Sequence, residues 1–558
     1  MYFALYWISI FAMIFVIMGW GKLLARMIGR QDVLSWDVLL LCGMGLWGVI
    51  CFVLLWSGLW QKWLLLGLFF LGLFGWYQSA HRPIPKLQEA CIWGLFLVGS
   101  LGCIDAWGPM IDTDALYYHQ ALAKQMAIRG TLIGGWFEPN GSRPMLLHSL
   151  YAFVWQFWGD KGPSLFYLCI SLGLIASVVE RAKAGVWGLL LLVSSWSFMQ
   201  EVGVISNNIP TAFAVFLTWR TVCEKRLRIA MWLAFVALSY KLTCLGLIFG
   251  IWLIYVPSWR IRAKLCVAVC VLFSLWPMRN LFMDLPLLFP FSGWEEPFQN
   301  LEKYGMGRSL MDFIWLPWNI FAHAKIDSHQ FQGQLSWMLF GACFLLWKTA
   351  KKDLLFLFLG FVFWAVGPQW LRHLILLFPI FVFVVAKHVN NNGSRLVLCC
   401  GLILGMSSNW GPLVSRWSAK WETIRGETDT AVFLSENIVG YDALQWANKK
   451  VPPEECISVI YLWGGAVLDR PYILSSVEDH IPIRSWLQRN QEQSFDVLSC
   501  RYLVVGKAMM TRKRYAFLSD ERFQKQIAEP LLMFDELLIK KATLVYTAKG
   551  NRVYRLQK

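Results

Sequence analysis

Residues 37–57 read DVLLLCGMGLWGVICFVLLWS, a stretch with one charge at its start and none after it. At 1.5 Å of rise per helical residue, such a run matches the roughly 20 residues that cross about 30 Å of hydrocarbon. Comparable runs occupy 3–21, 90–108, 261–277 and 369–386, and about a dozen apolar segments precede residue 410. None alternates with period two. Lipid offers no partner to an unpaired amide, so these runs predict helices and not a β-barrel. With 57% hydrophobic and only 15% charged residues, the chain lies outside the range of soluble globular domains. The first run lacks an early basic region and a small-residue cleavage site, so it reads as a retained helix and not as a signal peptide.

The formal net charge is +16. Its Lys and Arg sit in short loops between apolar runs, which is the positive-inside pattern and not a nucleic-acid footprint, so no nucleic-acid partner is expected. The basic loops are Lys22/Arg26/Arg30, His81/Arg82/Lys86, Lys225/Arg226/Arg228, Arg260/Arg262/Lys264, Lys348/Lys351/Lys352 and Lys387/Arg395. If they face the cytoplasm, the loops 109–143, 278–334 and 367–373 lie outside, with the N-terminus and the tail after about residue 410. A bacterial inner membrane fits best, with the C-terminal unit outside the cytoplasm. Two segments need special treatment. Residues 144–158 are too short to span and read as a partial, re-entrant or interfacial helix. Residues 229–256 are too long for one span and read as a helical hairpin with Lys241 at its external bend.

Two domains follow: a multi-pass membrane domain over 1–409 and a soluble α/β domain over 410–558. The second has a helix-like Tyr441–Lys449, strand-like Ile457–Leu462 and Tyr502–Val505, and a closing hairpin near Thr543–Leu556 that turns at Lys549-Gly550-Asn551. It carries no catalytic motif, so support or acceptor docking is its expected role. Of the 14 Cys, only Cys456 and Cys500 lie in this tail, where a disulfide is left open, and no Cys/His spacing suits zinc. The 33 Trp decide nothing, because Trp gathers at both interfaces of any membrane protein.

Chemistry concentrates after the fourth apolar segment, where residues 107–130 read WGPMIDTDALYYHQALAKQMAIRG. Asp112 and Asp114 stand at the mouth of an apolar helix and are followed by an amphipathic one. Helix capping accounts for one such carboxylate. Two of them, with Tyr118 and His119 one turn on, point to function, since ionisable groups near a membrane are costly. Further along come Arg143-Pro144-Met145-Leu146-Leu147, Ala237-Leu238-Ser239-Tyr240-Lys241, and Leu371-Arg372-His373-Leu374 with Pro379.

These elements, in this order, resemble the GT-C fold glycosyltransferases related to protein O-mannosyltransferases and aminoarabinose-lipid A transferases. The resemblance spans essentially the whole chain and is strongest from Trp107 to Pro379. It implies a mainly α polytopic bundle with a small soluble α/β domain. The implied activity is inverting transfer of a sugar from a polyprenyl-phosphate donor to a glycan, lipid or protein acceptor on the outer face. Asp114 matches the family's catalytic acidic residue, the base that takes the acceptor proton, by its spacing to Tyr118, with Asp112 orienting the acceptor or a metal ion. Arg143, Lys241 and Arg372 would clamp the donor phosphate, as Arg does in bidentate fashion. Tyr118, His119, His148, His373 and Glu138 are candidates to line the site. Mg or Mn on Asp112 and Asp114 is left open.

The chain also departs from the family. His373 replaces a Tyr, Pro144-Met145 replaces paired prolines, and Asn207-Asn208-Ile209-Pro210 stands where an acidic residue is common. Two other readings stay open: a transporter or flippase of a lipid-linked or anionic solute, with Lys241 and Arg372 inside the bundle, and a surface-polysaccharide ligase or polymerase using Arg308 and His323.

Overall fold

The computed structural model describes residues 2–28, 34–76, 87–134, 141, 143–182, 185–283, 287, 305–324, 331, 333–367, 369–389, 391–460, 462, 464–474, 500–506, 521, 524 and 529–557. Glu138, His81, Arg82, Lys86, Arg30 and Lys183 lie outside them. Helices dominate up to residue 424. They are α1 (Tyr2–Met27), α2 (Trp36–Trp56), α3 (Lys62–Phe70), α4 (Glu89–Trp107), α5 (Gln120–Arg129), α6 (Leu146–Trp158), α7 (Gly162–Arg181), α8 (Gly185–Val193) and α9 (Trp196–Met199). Then follow α10 (Asn208–Cys223), α11 (Leu227–Tyr240), α12 (Leu245–Tyr255), α13 (Trp259–Phe273), α14 (Leu275–Phe282), α15 (Leu310–Ala322), α16 (Trp337–Cys343) and α17 (Lys351–Val366). The series closes with α18 (Leu371–Leu374), α19 (Phe378–Ala386), α20 (Asn392–Asn409) and α21 (Gly411–Ile424). Among the described residues five helical stretches are long and apolar enough to cross a membrane. The chain is an integral membrane protein.

Contacts sort the helix ends onto two faces. On one, Arg181 pairs with the buried Asp37 at 2.7 Å, Arg220 pairs with Glu224 at 2.8 Å, and Arg228 donates to the Ile28 carbonyl at 2.9 Å. On the other, Trp158 Nε1 donates to Ser9 Oγ near the start of α1 at 2.7 Å, and Lys161 Nζ donates to the Gly108 carbonyl at 2.8 Å. The second face also gathers the distant loops. Arg308 donates to the Gly367 carbonyl at 3.0 Å, and the Leu371 amide donates to the Phe331 carbonyl at 3.0 Å.

The two irregular segments behave as the sequence predicts. Both ends of α6 stay beside the acidic loop and its helix: His148 meets His119 at 3.0 Å, and just past the C-terminal end Gln120 donates to the Asp160 carbonyl at 3.1 Å. Tyr151 and Tyr167 both reach Ser206 at 2.8 Å, so α6 and α7 fold back on one another about the positive-φ Gly159. The run at 229–256 folds back at Lys241, whose backbone is extended (φ −157°, ψ 113°). Its return arm, α12, ends with Tyr255 against Trp219 of α10 at 6.3 Å. The run at 369–386 departs from expectation, because it contains two short helices, α18 and α19, and no single span. Pro379 has no amide hydrogen to continue a helix and instead sits in the first turn of α19.

After α21 come α22 (Thr430–Asn437), α23 (Tyr441–Lys450), β1 (Ile457–Ile460), β2 (Tyr472–Leu474), β3 (Tyr502–Val505), α24 (Glu529–Lys541), β4 (Ala542–Ala548) and β5 (Asn551–Leu556). The sheet order is β2-β1-β3-β5-β4, with β1 parallel to β2 and β3, and β5 antiparallel to β3 and β4. Lys549 and Gly550 both have positive φ, which is what a two-residue primed turn between β4 and β5 requires. Cys456 and Cys500 are disulfide-bonded.

This unit is bound tightly to the helices. Asp105, wholly buried near the end of α4, takes Lys420 at 2.9 Å, Trp417 at 2.7 Å and Arg416 at 2.5 Å from α21. Removing one partner from such a buried cluster costs about 3–5 kcal/mol. Lys124 of α5 donates to the Ala466 carbonyl at 3.0 Å and to Asp469 at 2.8 Å, and Leu116, Tyr117 and Ala121 enter the core of the α/β unit with Leu444 and Val459. The α/β unit therefore lies on the same face as the acidic loop.

Candidate active site

Gly108 breaks α4 into extended backbone, and the chain turns into α5 through the acidic loop. Asp112 caps this turn, with Oδ1 accepting from the Ala115 amide at 3.0 Å and its carbonyl from the Leu116 amide at 2.9 Å. Asp114 makes no cap and is left for other work. Between Ala115 and His119 the helix is a π turn, in which the Gln120 amide reaches back five residues to Ala115. Such single-turn insertions recur at functional sites because they re-aim side chains. Here Leu116 and Tyr117 pack into the α/β unit while Tyr118 and His119 join the helices of the bundle.

Asp114 is ion-paired with Arg372, a residue 258 positions away. The Arg372 guanidinium also lies 4.1 Å above the Trp370 ring, and His373 meets the same ring at 5.4 Å. Arg143 lies 5.8 Å from the Tyr118 ring. Lys241 touches Asn208 Oδ1, and Asn208 in turn donates to Glu201 at 3.0 Å. Ser206 donates to the second Glu201 oxygen at 2.7 Å. The structure thus joins Asp112, Asp114, Tyr118, Arg143, His119, His148, Lys241, Arg372 and His373 in one region, which leaves Glu138 as the one sequence candidate outside the described residues.

Electrostatics bind the group together. Burial pushes the Asp112 carboxyl up, and the Asp114 carboxylate adds to this. Burial also raises Glu201, against the opposing pull of its Ser206 hydrogen bond and of Arg372. Lys241 is lowered to about 7, first by burial and then by Arg372. His119 is held well below its usual range by burial and by His148, so it is neutral at physiological pH. Burial alone would lower Arg372, but Asp114 and the other acids outweigh it and keep the guanidinium charged.

A carboxyl whose folded pKa exceeds its unfolded value favours folding at low pH, and that contribution is lost as pH rises through the folded pKa. Asp112→Asn keeps an oxygen for the Ala115 amide and removes the buried charge. The variant is expected to melt above the wild type at neutral pH, with the gap closing as pH falls, read by thermal unfolding of the purified protein. A wild type that melts higher at neutral pH would contradict the burial of this charge.

Three residues of this region carry no local sequence signal of their role. Glu201 accepts hydrogen bonds from Ser206 and Asn208, the second of which touches Lys241. Its isolation in a long apolar stretch was the available clue, because ionisable groups at such depth are functional by default. Arg416 acts on Asp112 from α21, and Asp105 holds Arg416.

Asp112 and Asp114 do not suit a divalent cation. One Asp112 oxygen serves the Ala115 amide, Arg372 holds Asp114, and Arg143, Lys241 and Arg416 add positive charge to the same region. Among the described residues no three His, Cys, Asp or Glu side chains gather as a ligand set. Arg308 donates to the Gly367 carbonyl, and His323 is the C-terminal cap of α15, its amide donating to the Asn319 carbonyl.

No family model matches this chain, and no curated protein does. Among solved structures it is similar to ArnT from Cupriavidus metallidurans bound to undecaprenyl phosphate, with 12% identity, a TM-score of 0.49, and coverage of 83% of this chain and 97% of that one. It is also similar to the same protein in the apo state, with 11% identity, a TM-score of 0.48 and the same coverage.

Proposed function

We propose that this chain is a GT-C type glycosyltransferase that moves a sugar from a polyprenyl-phosphate donor to an acceptor at the outer face of a bacterial inner membrane. The carrying observation is the union of two carboxylates and three cations in one region. A separate apolar cavity of about 310 Å³ is lined by α15–α19, and its lining includes Leu374, two residues along the chain from Arg372. Leu354 and Phe358 line it and are also exposed on the flank of α17, which gives a lipid tail a way in from the membrane. The sequence resemblance to the GT-C enzymes supports the same reading.

In the reaction, Asp114 takes the proton of an acceptor hydroxyl as its oxygen attacks the anomeric carbon. The bond from that carbon to the phosphate oxygen breaks, and polyprenyl phosphate leaves carrying the electron pair. A single displacement inverts the anomeric centre. Arg143, Lys241 and Arg372 balance the phosphate charge, and Asp112 orients the acceptor. Arg372 rests on Asp114 until donor phosphate competes for it, so donor arrival uncovers the base.

Membranes bearing the protein, given a panel of radiolabelled polyprenyl-phosphate sugars, are expected to release label from one member into an acceptor fraction with inverted anomeric configuration. Transport of intact donor without cleavage would instead favour the flippase. Outer placement is supported by the Cys456–Cys500 disulfide, since such bonds persist outside the reducing cytosol. With the exposed native Cys replaced by Ser, Thr113→Cys in intact cells is expected to react with an impermeant maleimide and Lys225→Cys to be protected. The reverse pattern would overturn the orientation.

A further inference from the structure

A second cavity, of about 510 Å³, lies between the helical bundle and the C-terminal α/β unit. Its size falls in the range of small-ligand sites. One wall is the chain from Trp107 to Met110, which leads into the acidic loop, together with Gln120 and Ser164, and the facing wall includes Tyr441 and Gln445. None of Asp112, Asp114 or Arg372 lines it.

The lining selects the class of occupant. Its charges are two Lys and two Asp that neutralise one another: Lys124 pairs with Asp469 at 2.8 Å and lies 3.7 Å from Asp160, and Lys161 is spent on the Gly108 carbonyl. An anion or a cation finds no net counter-charge there. An alkyl chain fits no better, because Gln120, Ser164, Thr423, Thr430 and Gln445 place amides and hydroxyls in the lining. Amides and hydroxyls both donate and accept, which suits sugar hydroxyls. Trp107 and Tyr441 provide flat apolar surfaces for the C–H faces of a pyranose.

We propose that this cavity is a subsite for an uncharged sugar residue, held by Gln120, Ser164 and Gln445 between the rings of Trp107 and Tyr441, through which the C-terminal unit presents a glycan acceptor. The binding stands on the cavity alone, whereas the acceptor role rests on the transferase reading.

The test uses the full chain in nanodiscs on a printed array of neutral oligosaccharides and their sialylated counterparts. Retention is expected on a subset of the neutral glycans and not on their acidic forms. Gln445→Trp, which fills the cavity, should weaken that retention at least tenfold, and Tyr441→Leu should weaken it several-fold. If Gln445→Trp also lowers the melting temperature, Tyr441→Leu decides. No retention of the wild type on any neutral glycan overturns the subsite, as does wild-type binding by the deciding variant. Saccharide binding lost in the variants, with no transfer from any polyprenyl-phosphate sugar, keeps the subsite and overturns the transferase. Transfer without such binding does the opposite.

Discussion

Asp114→Asn is expected to reduce sugar transfer by about 10²–10⁴-fold, the usual contribution of a positioned general base. The loss should fall on kcat. Asp114 makes no cap and is part of no core, so expression and membrane insertion should stay at wild-type levels. Its one strong contact among the described residues is with Arg372, and an amide cannot neutralise that guanidinium. Arg372 is then freer to bind phosphate, so donor KM should fall or hold while kcat collapses. A residue that merely braced the loop would lose both together. Single-turnover kinetics in reconstituted vesicles separate the two, and full activity of the variant would remove Asp114 from the chemistry.

The second large effect belongs to Arg372. Hydrogen bonds to charged groups contribute about 1.5–3 kcal/mol, so Arg372→Ala should weaken polyprenyl-phosphate binding by about 10- to 150-fold. Arg372→Lys keeps the charge but loses both the bidentate fork and the stacking on Trp370, and should fall between. In a double-mutant cycle, adding Asp114→Asn to Arg372→Ala should cost less than the two single changes summed, because each removes the partner of the other. Affinity for undecaprenyl phosphate, measured by native mass spectrometry, checks the series. Unchanged affinity in Arg372→Ala would place the phosphate elsewhere.

What sequence alone could reveal follows from the range of the physics. Lys241 was legible because an apolar run too long for one span must bend, and a charge marks the cheapest point for the bend. Residues 144–158 were legible because a helix of that length cannot cross the bilayer. The hairpin of β4 and β5 showed in its turn chemistry. The short β2 and α24 were missed because neither has a sharp boundary signal. Pro379 was visible in the sequence, but the run around it was read as one span, so its split into α18 and α19 was not expected. The Asp114–Arg372 pair and the Asp105 cluster were out of reach for a different reason. They join residues whose contact is created by the fold, and no local pattern records a partner some 300 positions away.

The π turn at Ala115–His119 has one more effect. Each residue advances a helix by about 100°, so the inserted residue shifts the phase of everything after it. Asp114, Tyr118 and His119 meet the bundle, while Leu116 and Tyr117 of the same turn, and Lys124 and Gln125 after it, meet the α/β unit, where Gln125 donates to the Arg470 carbonyl at 3.0 Å. Deleting one residue here would restore a regular helix yet turn one set of side chains away from its partner. This buried stretch is therefore intolerant of any change in length.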